Sequence, residues 1–111
     1  MNGSGKRAER RAAWWYRLRG YRVLGANVWV GNYELDLVVR RGRRLVFCEV
    51  KEKAGTTFGA PAEMVGEEKQ RRLRQAAAAW LAAHPGHGGL SVSFDVIAVE
   101  EGRLVRLAEA F

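Results

Sequence analysis

Cysteine is almost absent from this chain, with Cys48 alone among 111 residues. A lone thiol closes no internal disulfide, and no Cys/His group has zinc-site spacing. The histidines His84 and His87 lie in HPGHGG, which reads as a solvated Gly/Pro-rich loop rather than a ligand pair. No apolar run approaches the roughly eighteen residues that cross a bilayer. Nor does an apolar stretch of signal-peptide type follow the polar, basic start MNGSGKRAERR. The expectation is a cytoplasmic protein with no membrane partner. Acids are also scarce: 12 Asp and Glu face 19 Lys and Arg, a net charge of +7. A basic excess favours a polyanionic partner, because each cation set against a phosphate releases a condensed counterion. Hydrophobic residues make up 48% of the chain, which argues against disorder throughout. The length suits one domain, residues 1–111, with residues 1–5 a loose end.

The periodicity predicts a helix over Lys6–Arg19, with Ala8, Ala12, Trp15, Tyr16 and Arg19 along one stripe and Gly20 as its stop. Three strands come next. Tyr21–Val30 is weakened or bulged near Gly25, Tyr33–Arg40 alternates cleanly, and Leu45–Lys51 is mostly apolar. Turns at Gly31–Asn32 and Arg41–Arg44 make them an antiparallel meander. Glu52–Pro61 is a loop long enough to suggest a functional role, with Phe58 and Gly59 in a segment able to close over a substrate. A long helix is expected over Ala62–Ala83, its stripe running through Leu73, Ala76, Ala77, Trp80 and Leu81. Glu67, Glu68, Arg71, Arg72 and Arg74 would face water, and Glu63 would complement the helix dipole. A fourth strand, Leu90–Glu100, and a hairpin into Arg103–Ala108 complete the chain. A helix between strands three and four permits their parallel pairing by a right-handed crossover. The expected fold class is α/β, an αβββαβ core with a mixed sheet and an extra C-terminal strand.

Chemistry concentrates on strands two and three. Side chains alternate between the faces of a strand. Glu34, Asp36 and Val38 should share one face, and Leu35, Leu37 and Val39 the other. In strand three, Leu45, Phe47, Glu49 and Lys51 project together, so an apolar strand ends in an acid and a lysine on the same side. One hairpin register sets Asp36 directly opposite Glu49, with Cβ atoms about 5 Å apart. A register shifted by two makes them diagonal neighbours roughly 7 Å apart. A one-residue slip would separate them to opposite faces. Two neighbouring carboxylates stay ionised most easily around a cation. Hard oxygen ligands with open positions suit magnesium, or manganese, which can hold substrate phosphate and lower the pKa of a bound water. A lysine on the same face can orient or deprotonate the attacking water. The plain alternative is a surface salt-bridge ladder of the same three side chains. Cys48 and Asp95 read as structural, the first as a small core residue and the second as a hydrogen-bonding group inside the fourth strand. Of Trp14, Trp15, Tyr16 and Trp80, most read as core.

Together the segments AERRAAWWYRLRGYRVLGANV, YELDLVV, LVFCEVK, FGAPAEMV, Lys69, FDVIAV and the terminal AF resemble the YraN family of endonuclease-like proteins, within the PD-(D/E)xK restriction-endonuclease-like superfamily. The order of acids is also similar to that of archaeal Holliday-junction resolvases. The resemblance implies metal ligation by Asp36 and Glu49 with the Val50 carbonyl, and a catalytic role for Lys51. It adds Glu9 as a further acid from the first helix and Glu34 as the acid preceding Asp36. Tyr33 stands where the family's G-E-I-D segment has glycine, and its ring would narrow the approach. Lys69, Gln70 and Arg72 are candidate nucleic-acid contacts. The function this implies is a magnesium- or manganese-dependent endonuclease on DNA rather than RNA, with branched or structured substrates and, by analogy, a homodimer. A non-cleaving nucleic-acid-binding module on the same fold is the alternative.

Overall fold

The computed structural model describes residues 3–53, 65–100 and 102–111. Helix α1 spans Gly3–Arg17, followed by β1 (Arg22–Val30), β2 (Tyr33–Arg41) and β3 (Arg44–Lys53). Helix α2 spans Glu67–Ala83, a 3₁₀ turn covers Pro85–His87, and β4 (Ser91–Glu100) and β5 (Arg103–Leu107) close the chain. The sheet order is β1-β2-β3-β4-β5, antiparallel except where β3 runs parallel to β4. The mixed α/β fold expected from the sequence is therefore the fold observed.

Helix α1 begins at Gly3, not Lys6, so residues 3–5 are helical rather than loose. A helix fixed by a packed stripe extends cheaply into a polar first turn, because nucleation has already been met. It ends two residues early, at Arg17. The Tyr21 amide donates to the Tyr16 carbonyl and the Gly20 amide to that of Arg17, with Gly20 at φ +90°. Those paired bonds form a Schellman cap, which needs a left-handed residue and so a glycine. Helix α2 starts at Glu67 rather than near Ala62, because Gly66 is extended and caps it. The expectations for Phe58, Gly59, Glu63 and the surrounding loop lie outside the described residues. Among the described residues no helix is long and apolar enough to cross a membrane.

Both faces of the sheet are covered. On one, Ala8, Ala12 and Tyr16 of α1 pack against Leu37, Val39, Val46, Cys48, Val50 and Ile97. On the other, Leu73, Ala76, Ala77 and Trp80 of α2 pack against Leu35, Val38, Leu45 and Phe47. Phe47 is fully buried and meets Trp80 edge-on at 5.7 Å. Burying such a ring stabilises the fold by about 1.5–3 kcal/mol. Glu67, Glu68, Arg71, Arg72 and Arg74 face water, as the helical stripe requires. Asp95 is buried in β4 and accepts hydrogen bonds from the Tyr16 hydroxyl (2.5 Å), Arg106 Nε (2.9 Å) and the Glu109 amide (3.1 Å). It ties α1, β4, β5 and the C-terminal turn together.

The sheet has a gap in the middle. The β2–β3 ladder runs from Arg41↔Arg44 only as far as Leu37↔Cys48. Beyond that point β2 continues to pair with β1 as far as Tyr33, and β3 with β4 as far as Lys53. The strands thus part where Asp36 faces Glu49 in the same register. Strict alternation also fails here: Leu35 joins the α2-side core, whereas Leu37 and Val39 join the α1 side. A strand released from one neighbour is free to twist, and this one turns at Asp36. The grouping of Leu35 with Leu37 expected from sequence is corrected accordingly.

Candidate active site

Asp36 sits at the point of divergence and accepts a 2.9 Å hydrogen bond from the Val50 amide through Oδ2. Its carboxylate thereby takes up the donor that the interrupted ladder leaves over. Burial, and then the nearby charge of Glu49, push the Asp36 carboxyl up to about 7. Glu49 is only 5% exposed. Its Oε2 is 2.7 Å from Lys69 Nζ and 3.4 Å from Lys51 Nζ. Burial followed by the Lys69 ammonium holds Lys51 below the ordinary lysine range, with Glu49 opposing the shift. For Lys69, burial favours the neutral amine, but Glu49 outweighs it and raises the group. Of the two lysines, Lys51 is the one made easier to deprotonate.

Glu9 reaches this cluster from α1. Burial raises its carboxyl, the Asn27 amide lowers it, and Glu34 and Glu49 raise it again. The Asn27 side chain donates to Glu9 Oε1 at 2.6 Å from a left-handed backbone at φ +54°. Asparagine tolerates that conformation better than other side chains. Sequence reasoning missed Asn27, although the irregularity it flagged near Gly25 is the signal. The bulge lies between Val23 and Gly25, where a Cβ on the glycine would come within 2.6 Å of Val28 Cγ2.

The remaining candidates divide. Val50 enters the cluster by its amide, and Glu34 is half-buried in β2 beside it. Lys69 turns inward to Glu49, and Gln70 donates to the Val65 carbonyl at 2.9 Å. Arg72 alone of those three expected nucleic-acid contacts is exposed, with its guanidinium 6.0 Å from the Tyr33 ring centre. Among the described residues no three His, Cys, Asp or Glu side chains converge as a metal cage. His84 and His87 are held by Trp80 and Arg40 respectively. Two carboxylates nonetheless suit a magnesium ion that keeps several of its waters. Burial and Glu49 favour the protonated form of Asp36, so a cation beside it would favour its charged form instead.

Tyr33 borders the cluster from the start of β2. Its hydroxyl is buried without a hydrogen-bond partner among the described residues, and burial followed by the Glu49 charge pushes the phenol up to about 12. An unpaired buried hydroxyl costs about 1–3 kcal/mol. We expect Tyr33→Phe to leave the thermal midpoint unchanged or raise it, by up to about 8 °C. A clear fall in a melting curve would show that the hydroxyl is bonded.

A five-stranded mixed sheet with a helix on each face, whose central strands part around Asp36, Glu49 and Lys51, defines a small α/β protein with an acid–lysine cluster inside its sheet. The chain belongs to the uncharacterised protein family UPF0102, whose model matches residues 8–99. A UPF0102 protein of Frankia alni is 51% identical over 80 residues, 72% of this chain and 66% of that protein's length. One of Bordetella avium is 41% identical over 110 residues, covering 99% of this chain and 75% of the relative. One of Bartonella bacilliformis is 36% identical over 107 residues, covering 96% and 86%.

Proposed function

We propose that this protein is a metal-dependent endonuclease of the PD-(D/E)xK type, acting in the cytoplasm on branched or structured DNA. The observation that carries the reading is the convergence of Asp36, Glu49 and Lys51 where β2 and β3 separate. Asp36 and Glu49, with the Val50 carbonyl, would hold magnesium or manganese. When bound, that ion supplies positive charge to the phosphoryl oxygens and acidifies a water. Lys51, depressed by burial and by Lys69, is poised to orient or accept a proton from the attacking water. Glu9, held by Asn27, is the additional acid from α1. The +7 charge favours the DNA backbone.

One observation favours a second reading, a binding module that does not cleave. Lys69 lies 2.7 Å from Glu49 and so neutralises the carboxylate that a metal would need. The test is incubation of the pure protein with single-stranded, duplex, flapped and four-way DNA, with magnesium, manganese or chelator. Titration calorimetry with each metal on wild type and Asp36→Ala runs beside it. The nuclease reading expects metal-dependent cutting, and metal binding that is lost in the variant. Absence of metal binding in both proteins, together with salt-sensitive DNA binding, would leave the binding module.

A further inference from the structure

A concavity lies between α1 and β1. It measures about 250 Å³, and its walls include Glu9, Trp14, Val23, Ala26 and Asn27. Ala26 in its wall pairs with Leu37, the neighbour of Asp36 in β2, and Glu9, whose charge helps to raise the Asp36 carboxyl, lines it from α1. The cavity is thus next door to the candidate active site. Trp14 is 58% exposed, although the helix presents Ala8, Ala12, Ala13 and Tyr16 to the core. An indole left in water gains nothing for the fold. Its ring already carries the Arg17 guanidinium at 5.3 Å from the ring centre, and Lys6 and Arg10 complete a basic rim.

An aromatic face, apolar walls and a rim of cations, with Glu9 the acid among them, suit a nucleotide. The base has a π-face for the indole and the phosphate a charge for the rim. A base within an intact duplex has both faces covered by its neighbours and cannot stack on a side chain. We infer that the Trp14 cavity binds an unpaired nucleotide of a DNA strand, beside the metal position that Asp36 and Glu49 would provide. The inference rests on the proposed nuclease reading and names its substrate class: DNA with an unpaired base beside the cut, as at a flap or a branch point. Preference for such DNA would then come from Trp14, with the acid cluster indifferent to pairing.

The experiment is fluorescence anisotropy with a labelled single-stranded oligonucleotide and a duplex of equal length, in chelator so that no cutting intervenes. Wild type is compared with Trp14→Ala, Trp14→Phe and Arg17→Ala, with circular dichroism to establish that each is folded. Trp14→Ala should weaken single-strand binding about tenfold and duplex binding less than about twofold, and Trp14→Phe should restore most of the loss. Arg17→Ala should weaken single-strand binding and flatten its salt dependence. Equal single-strand affinity of wild type and Trp14→Ala, or an equal loss on both DNAs, overturns the inference. Binding of neither DNA by wild type overturns it together with any nucleic-acid role. If wild type binds with the Trp14-dependent preference but cuts nothing with added metal, the subsite stands and the nuclease reading falls.

Discussion

Asp36→Asn is expected to abolish metal-dependent cleavage and, at pH 8 without metal, to make the protein more stable. An amide is isosteric with the carboxylate and still offers an oxygen to the Val50 amide, so the local geometry is kept. It carries no charge for a cation. Losing several kcal/mol of electrostatic stabilisation of the phosphoryl oxygens corresponds to a rate loss of about a thousandfold or more. The stability change has the opposite sign because the fold raises the Asp36 carboxyl from 3.8 to about 7. The folded chain holds this proton more tightly than the unfolded chain. The stability it contributes is therefore complete below pH 3.8 and is lost as pH rises through about 7. By pH 8 the loss is on the order of a few kcal/mol. Glu9, also raised, adds a smaller slope in the same direction. Melting curves of metal-free wild type should fall between pH 5 and pH 8, and those of Asp36→Asn should fall less. Magnesium or manganese should restore wild type at pH 8 and do little for the variant. A variant that is less stable than wild type at pH 8, or that still cuts, would remove Asp36 from the metal role.

Asp95→Ala is expected to lower stability by about 3–5 kcal/mol, the scale of removing one partner from a buried ion pair. Three groups lose their acceptor at once. The Tyr16 hydroxyl is buried, the Arg106 guanidinium is half-buried, and the Glu109 amide closes the C-terminal turn. Burial of the Tyr16 phenol, reinforced by Cys48 and Asp95, keeps it protonated far above its ordinary range, so ionisation offers no escape. Against a typical total of about 5–15 kcal/mol, the loss leaves a marginal protein. Urea denaturation should show a lower midpoint at an unchanged slope. A loss under about 1 kcal/mol would show that the Tyr16–Asp95–Arg106 network does not hold α1 to the sheet.

The hairpin register was largely legible in the sequence. Of two registers that would bring the acids together, the structure adopts the one with Asp36 opposite Glu49. Two-residue turns at Gly31–Asn32 and Gly42–Arg43 leave little freedom to slip. The parallel pairing of β3 and β4 was legible as well, because α2 falls between them. Other features had no local signal. The inward turn of Lys69 depends on Glu49 lying under α2, and a charged helix position looks the same in sequence whether it meets water or a buried acid. The hold of Asn27 on Glu9 joins residues 18 apart through a backbone conformation that composition does not announce.

The sequence by itself determined the order of elements, the mixed sheet and the placing of an aspartate, a glutamate and a lysine on adjoining strands. Those features come from periodicity and turn chemistry, which act over a few residues. Only the tertiary structure decided that β2 and β3 separate at Asp36, that two lysines share Glu49, and that Trp14 stands in water beside Glu9. Each of these depends on which distant charge or surface a side chain meets after packing, and burial sets how strongly it responds.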